Sequence, residues 1–203
     1  MRIRPISLAV TLLLAASLLA SCSSDPKVKR IDTDEVTDLG GTWNDTDSRL
    51  VAEAMTKDLL SQSWYNRVLS QSNEIPTIIV GLVRNKSHEH IDTATFTKDI
   101  ERSLINSGMI DLVASAGQRE EIRDERAQQD LYSSAETRKA LGEELGADMI
   151  LQGSISTILD ANSEQQARFY QVDLELIEIE TTRKVWLGQK KIKKLIEKDR
   201  VRL

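Results

Sequence analysis

The chain has 203 residues, with 27 Lys plus Arg against 32 Asp plus Glu and 40% apolar residues, the size and composition of one globular domain or at most two small ones. Charged residues at 29%, with three Trp, three Tyr, two Phe and nine Gly, exclude collagen, a mucin stalk, a polytopic membrane protein and a chain too polar to fold. One cysteine and two histidines exclude a disulfide framework and most zinc sites, which need several such ligands around one ion.

Arg2 and Arg4 precede an uncharged run from Ile6 to Ala20, rich in Leu and Ala. At about fifteen residues this run is shorter than the roughly twenty of a membrane-spanning helix, so residues 1–21 read as a signal peptide. The run ends in Leu19-Ala20-Ser21-Cys22, which resembles the bacterial lipoprotein box, where small residues fit the signal peptidase and the cysteine thiol takes diacylglycerol. Cys22 is therefore expected to be lipidated and to become the mature N-terminus, with about 0.8 kcal/mol of anchoring per buried methylene. Ser23 in place of Asp, by resemblance to enterobacterial sorting, favours the outer membrane over the inner one; the periplasmic face is the expectation ahead of the cell surface, though the sorting residue does not select the leaflet. Residues 22–41 are polar, contain Pro26 and few large apolar residues, and read as a flexible tether that reaches about 60 Å when fully extended.

Residues 42–203 carry the folded body. Asp45-Thr46-Asp47-Ser48 offers N-caps for a helix that carries Val51, Met55 and Leu59 in one row and Leu60, Trp64 and Val68 in the next, and that should run to about Leu69. Pro76 then opens Thr77 to Val83, a nearly continuous apolar run that reads as a strand buried on both faces. Phe96, Ile100 and Leu104 mark a second helix stopped by Gly108 as a left-handed C-cap, and Met109 to Ala114 follows as a second strand, parallel to the first because a helix crosses between them. Gln118 to Asp130, with Ile122 almost its only apolar residue, reads as a solvated helix. Ser133 and Glu136 have capping-box spacing for a further helix with Ala140, Leu141 and Leu145, ended by Gly146. Ala147 to Ile158 is a third strand, Arg168 to Glu180 a fourth with a bulge near Leu176, and Lys184 to Gly188 a fifth after the turn at Thr181 to Arg183. The order argues an α/β (α+β) single domain, a mixed sheet of four to five strands flanked by helices.

From Arg183 to Leu203 there are nine Lys or Arg against Glu197 and Asp199, whereas residues 22–182 carry a net charge of −14. Export and the lack of an aromatic platform argue against nucleic acid as the partner of this basic tail. It reads as an edge strand protected by lysines, with contact to an anionic lipid, wall polymer or acidic partner as the alternative.

The chemistry-bearing patterns are sparse. His88-Glu89-His90 follows the first strand, and a His-x-His pair binds a divalent ion when its rings converge, but only Asp92 lies near as a third ligand, so the polar-loop reading prevails and no metal is expected. A G-x-S-x-G elbow, a P-loop and a dinucleotide fingerprint are all missing, and no cofactor is expected. The carboxylate pairs Glu120 with Asp124 and Glu143 with Glu144 sit on helix faces, where solvation rather than acid/base catalysis is their ordinary role. Trp43, just before a helix cap, reads as a staple ahead of a binding edge.

Three segments together carry a resemblance: Gly41-Thr42-Trp43-Asn44-Asp45-Thr46-Asp47-Ser48-Arg49; Gly81-Leu82-Val83-Arg84-Asn85-Lys86-Ser87; and Lys139-Ala140-Leu141-Gly142-Glu143-Glu144-Leu145-Gly146-Ala147-Asp148 leading into Leu151-Gln152-Gly153-Ser154. With the turn Glu180 to Lys184 and Trp186, they resemble the penicillin-binding protein activator LpoB family of lipoproteins over about Asp38 to Lys190. The helix, Gly-Ala-Asp, strand pattern is shared with the amino-terminal domain of the translocation protein TolB and with curli-secretion and flagellar lipoproteins. The resemblance implies a TolB-amino-terminal-like mixed sheet flanked by helices, no catalytic residues, and a non-enzymatic outer-membrane lipoprotein that binds a bifunctional penicillin-binding protein and raises peptidoglycan synthesis. The alternative is an accessory lipoprotein of an envelope secretion or assembly complex. Trp43, Asn44, Arg84, Asn85 and Lys86 are the expected partner-binding residues, since two of the shared motifs supply them and loops on rigid elements often carry binding.

Overall fold

The computed structural model describes residues 28–134 and 144–197. The signal peptide, Cys22 and the start of the tether lie outside them, as do Glu136, Ala140 and Leu141 of the helix expected after Ser133, and the last six residues of the basic tail. Among the described residues no helix is long and apolar enough to cross a membrane. Residues 28–35 belong to a unit of their own, with a turn in which Asp34 N–H donates to Asp32 Oδ1 at 2.9 Å. The rest of the described chain, from Val36, is the folded domain.

Helix α1 spans Asp45–Ser61, and its N-cap is Asn44, one residue ahead of the candidates that the sequence offers. Asn44 Oδ1 accepts from Asp47 N–H at 3.0 Å and Asp47 Oδ2 accepts from Asn44 N–H at 3.1 Å, a reciprocal box that satisfies two otherwise orphaned donors. The helix stops at Gln62, whose backbone is extended, and α2 restarts at Ser63–Ser72. The expected single helix to Leu69 is thus two. The break lets Trp64 turn into the core, 1% exposed, where its indole N–H donates at 2.7 Å to the Leu59 carbonyl, which also accepts from Gln62 N–H at 3.4 Å.

Strand β1 covers Thr77–Asn85, α3 Thr93–Ser107, β2 Asp111–Leu112 and α4 Ala116–Tyr132. Gly108 caps α3 at φ +65°, as its position after the last apolar residue requires. Strand β2 pairs parallel with β1 but for two residues, not the six from Met109 to Ala114, because Ser115 caps α4 almost at once and shares a capping box with Gln118. No described residue of α4 is buried, so this helix is solvated along its length. Strands β3 (Met149–Ala161), β4 (Gln165–Glu178) and β5 (Lys184–Glu197) form a long antiparallel meander. The basic tail is therefore the edge strand, longer than the sequence pattern implied. The bulge near Leu176 is present, with its extra residue, Val185, on β5: Leu176 faces Trp186 while Ile177 faces Lys184.

The sheet order is β2-β1-β3-β4-β5, the first three parallel and the last three antiparallel, a mixed α/β single domain. Helices α1 and α3 pack on one another and on one sheet face, burying Val51, Met55, Leu59, Phe96, Ile100 and Leu104 against Ile78, Leu151, Ile155, Val172, Leu174 and Leu176. Each such side chain contributes about 1.5–3 kcal/mol. The opposite face is open: β1 was expected to be covered on both sides, yet Leu82 is 63% and Leu187 70% exposed, since the apolar stripes of α1 and α3 both face the other side.

The motif aspartate Asp148 explains its own place. It leads β3 in beside β1 through one backbone and one side-chain hydrogen bond with Thr77: Thr77 N–H donates to Asp148 Oδ2 at 2.9 Å, and Asp148 N–H to the Thr77 carbonyl at 2.9 Å. At the β4–β5 turn Thr182 holds φ +57°, a left-handed conformation that a β-branched residue adopts with strain. Thr182→Gly is expected to raise the unfolding free energy by about 0.5–1 kcal/mol, read as a higher urea midpoint with unchanged slope.

Candidate functional site

The loop between β1 and α3 is built around Glu89, the central residue of the His-x-His run. Its carboxylate turns inward and accepts from the Arg168 guanidinium at 2.9 Å, from the Tyr170 hydroxyl at 2.8 and 2.9 Å, and from Trp43 N–H at 3.1 Å. Three segments of the chain meet at this carboxylate: the β1–α3 loop, β4 and the entry to α1. The Trp43 ring, half-buried, packs edge-on against Phe96 at 6.2 Å and Tyr170 at 5.6 Å, geometries worth about 0.5–1.5 kcal/mol each beyond area burial.

Asn44 spends its side chain on the fold as well, with Nδ2 donating to the Thr37 carbonyl at 3.1 Å and to Asp38 Oδ1 at 2.7 Å. Next to it the Lys194 ammonium from β5 reaches Asp38 and Asp47, each at 2.6 Å, and the Thr42 carbonyl at 3.0 Å. Thr37 and Asp38, in the segment read from the sequence as tether, are thereby held against the end of β5.

Asn85 shapes the loop: Oδ1 accepts from Ser87 N–H at 2.9 Å and Ser87 Oγ at 2.6 Å, and Nδ2 donates to the Glu89 carbonyl at 2.7 Å. His88 Nδ1 lies 3.5 Å from Thr157 Oγ1. Asp92 is the N-cap of α3, accepting from Ala94 N–H at 2.9 Å. Among the described residues no three His, Cys, Asp or Glu side chains are grouped to hold a metal ion. Of the carboxylate pairs expected on helix faces, Glu120 and Asp124 are exposed on α4, Glu143 lies outside the described residues, and Glu144, in the non-helical stretch ahead of β3, takes a bidentate pair from Arg123, both at 2.8 Å.

Burial pushes the Tyr170 phenol well above its ordinary range, and the Glu89 carboxylate adds to the shift. The Lys194 ammonium is also held above its ordinary value: burial opposes the charge, and the bonds to Asp38 and Asp47 outweigh it. Both groups keep their protons more tightly folded than unfolded, so their stabilisation is complete below the unfolded values and is lost as pH rises through the folded ones. Unfolding free energy is expected to fall above about pH 10, where an unfolded tyrosine begins to ionise, with a shallower alkaline slope in Tyr170→Phe, measured by urea unfolding across pH 8 to 11.

Of the five residues expected to bind a partner, the structure divides two from three. Trp43 and Asn44 sit at the α1 entry and serve the core and the cap. Arg84 and Lys86 project from the end of β1 and line a shallow cavity of about 180 Å³ on the open sheet face, with Gln152, Ser154, Asp173 and Leu187. Asn85, between them, points into the loop that fixes both. A larger cavity of about 380 Å³ lies between α2 and the start of β3, lined by Val68, Glu74, Ile75, Asp148 and Glu178. Sequence reasoning passed over Glu89, Arg168 and Lys194. The available signal was Arg168, which falls in phase with the apolar residues Tyr170, Val172 and Leu174 and so required a buried carboxylate.

The family described as peptidoglycan-synthase activator LpoB matches residues 47–192. No curated protein matches the chain in sequence. Among solved structures, the chain is similar to the LpoB C-terminal domain from Escherichia coli, at 21% identity and TM-score 0.44, and to that from Salmonella enterica, at 15% and 0.42; each match covers 72% of this chain and 98% of the other. It is also similar to the solution structure of Escherichia coli LpoB, at 15% identity and TM-score 0.39, over 89% of this chain and 87% of that one.

Proposed function

The chain belongs to the LpoB family of peptidoglycan-synthase activators, and from that premise we propose that it is a non-enzymatic lipoprotein, anchored in the outer membrane through Cys22, that binds a bifunctional penicillin-binding protein and raises its activity. The observation that carries this reading is the family match itself, which runs from the first turn of α1 into β5 and so takes in every described element of the domain. The site geometry supports binding as the mode of action. The charged and phenolic groups in the least aqueous surroundings, Asp47, Glu89, Arg168, Tyr170 and Lys194 among them, are engaged by partners that hold the fold together, whereas Arg84 and Lys86 are exposed on a rigid strand end. Activation by binding requires that the protein prefer the active conformation of the synthase; a preference of 1–3 kcal/mol is about a 5- to 150-fold shift.

The test is glycan polymerisation by a purified bifunctional penicillin-binding protein with and without residues 23–203. A rise of several-fold, saturating with added protein, is the expected result; an unchanged rate over the range in which binding saturates sinks the reading. The anchor is tested separately, by whether Cys22→Ala moves the protein from the membrane fraction to the soluble periplasmic fraction.

A further inference from the structure

The open face of the sheet carries charge that the fold does not use. Register places Arg84 beside Ser154, Ser154 opposite Asp173, and Asp173 opposite Gln189; one step along the strands, Ser156 faces Gln171 and Gln171 faces Lys191. Lys86 joins the same end of β1, its N–H donating to the Ile155 carbonyl at 2.8 Å. Period-two alternation puts Lys191 and Lys193 on this face while Ile192 and Lys194 point to the helix side. At about 4.8 Å per strand, the two cation pairs stand about 14 Å apart across three strand steps.

The acids between them are already satisfied. Asp173 accepts from Gln171 Nε2 and Gln189 Nε2, both at 2.8 Å. Glu175 accepts from Gln152 Nε2 at 3.0 Å and pairs with Lys184 at 2.5 Å, and that pairing, ahead of the Gln152 bond, holds its carboxyl below the ordinary range. Among the described residues, Arg84, Lys86, Lys191 and Lys193 meet no carboxylate at ion-pair distance. The face is thus a floor of Ser and Gln side chains, with Ile158 and Phe169 in the row of Lys193, framed on two sides by unpaired cations, in a chain whose residues 22–182 are strongly acidic. The exposed Leu82 and Leu187 supply apolar area at its margins.

We propose that this face, between Arg84 and Lys86 on one side and Lys191 and Lys193 on the other, is the docking surface for an acidic patch of the synthase. The assignment rests on the function proposed above. Complementary charge selects an acidic occupant, and the central acids select protein over lipid: a headgroup layer would press phosphates onto Asp173 and Glu175, whereas a protein surface can place carboxylates over the cations and donors over the acids. Mixed apolar and polar lining is the ordinary make-up of such an interface.

The experiment measures affinity of the full chain, purified in detergent from a bacterial envelope, for a purified bifunctional penicillin-binding protein, for vesicles containing phosphatidylglycerol, and for isolated sacculi. Arg84→Glu with Lys86→Glu, and Lys191→Glu with Lys193→Glu, are each expected to weaken synthase binding about tenfold, and the four together about a hundredfold, with a flatter salt dependence than the parent. Arg67→Glu with Arg102→Glu, the same charge change on helices α2 and α3, is expected to bind as the parent does. Circular dichroism melts verify folding, and the four Gln substitutions repeat the test without introduced acids. Synthase affinity within twofold of the parent in the quadruple variant overturns the docking surface and leaves the proposed function standing. The same holds if only vesicle or sacculus binding is lost, which would give the cations to the membrane or the wall. A parent chain that binds no synthase overturns both.

Discussion

Glu89→Ala is expected to lower the unfolding free energy by about 3–5 kcal/mol, the range for removing one partner of a largely buried ion pair. The carboxylate is the common acceptor for Arg168, the Tyr170 hydroxyl and Trp43 N–H, so its deletion takes an acceptor from three donors at once, one of them charged, and leaves the Tyr170 hydroxyl only the Gly41 carbonyl at 3.4 Å. Its distance in sequence from its partners matters too, because the contact pins the β1–α3 loop to β4 and the entry of α1 to both. Glu89→Gln separates the contributions: the amide still accepts through one oxygen but loses the charge that balances Arg168, and about half the loss is expected. Urea unfolding of residues 23–203 checks both variants. A loss below about 1 kcal/mol for the alanine variant would mean that water or a rearranged loop replaces the carboxylate.

Legibility in the sequence followed the range of the interactions. Strands and helices set by local period were legible: Phe96, Ile100 and Leu104 at helical spacing, Gly108 as the left-handed cap, and the alternation from Tyr170 to Leu176 all stand as the pattern implied. The break at Gln62 was not, because Leu60, Trp64 and Val68 continue the helical row; what ends it is an indole finding the Leu59 carbonyl, a choice made by core packing. The open second face of β1 was equally hidden. A run such as Thr77 to Val83 reads as buried on both sides, and only the placement of α1 and α3 on one layer leaves Leu82 in water. At the site, composition found the β1 loop but mistook which residue mattered, since two histidines drew attention from the glutamate between them. The partners of Glu89 lie 46 to 81 residues away, beyond any local pattern. The lysines of the tail were legible as charge, but only register shows that Lys194 is spent on Asp38 and Asp47 while Lys191 and Lys193 are left facing outward.

Gly153→Ala is expected to destabilise the domain by about 3 kcal/mol, the upper end of the range for an added methyl in a filled interior. Gly153 faces Leu174, which in turn faces Gly188, so one leucine sits between two glycines in a single row across β3, β4 and β5. A Cβ on Gly153 would overlap the Asp173 carbonyl oxygen and stand 2.6 Å from Leu174 Cδ2 and 3.0 Å from Leu174 Cα. Two of these three neighbours are backbone, which no rotamer change moves, so relief requires β3 and β4 to separate where the sheet is most continuous. Glycine is needed there because another backbone approaches closely. Gly81→Ala is the contrast. Its Cβ would meet the end of the Ile150 side chain at 2.9 Å and the Leu151 carbonyl oxygen only at 3.3 Å, and a flexible side chain can yield, so a loss below about 1 kcal/mol is expected. Equal losses at the two positions, measured by urea unfolding of matched preparations, would show that strand glycines act here through chain entropy alone. A large loss confined to Gly153 would locate the constraint at the β3–β4 approach, directly beneath Ser154 and Asp173 of the proposed docking face, where separating the strands would also weaken synthase binding.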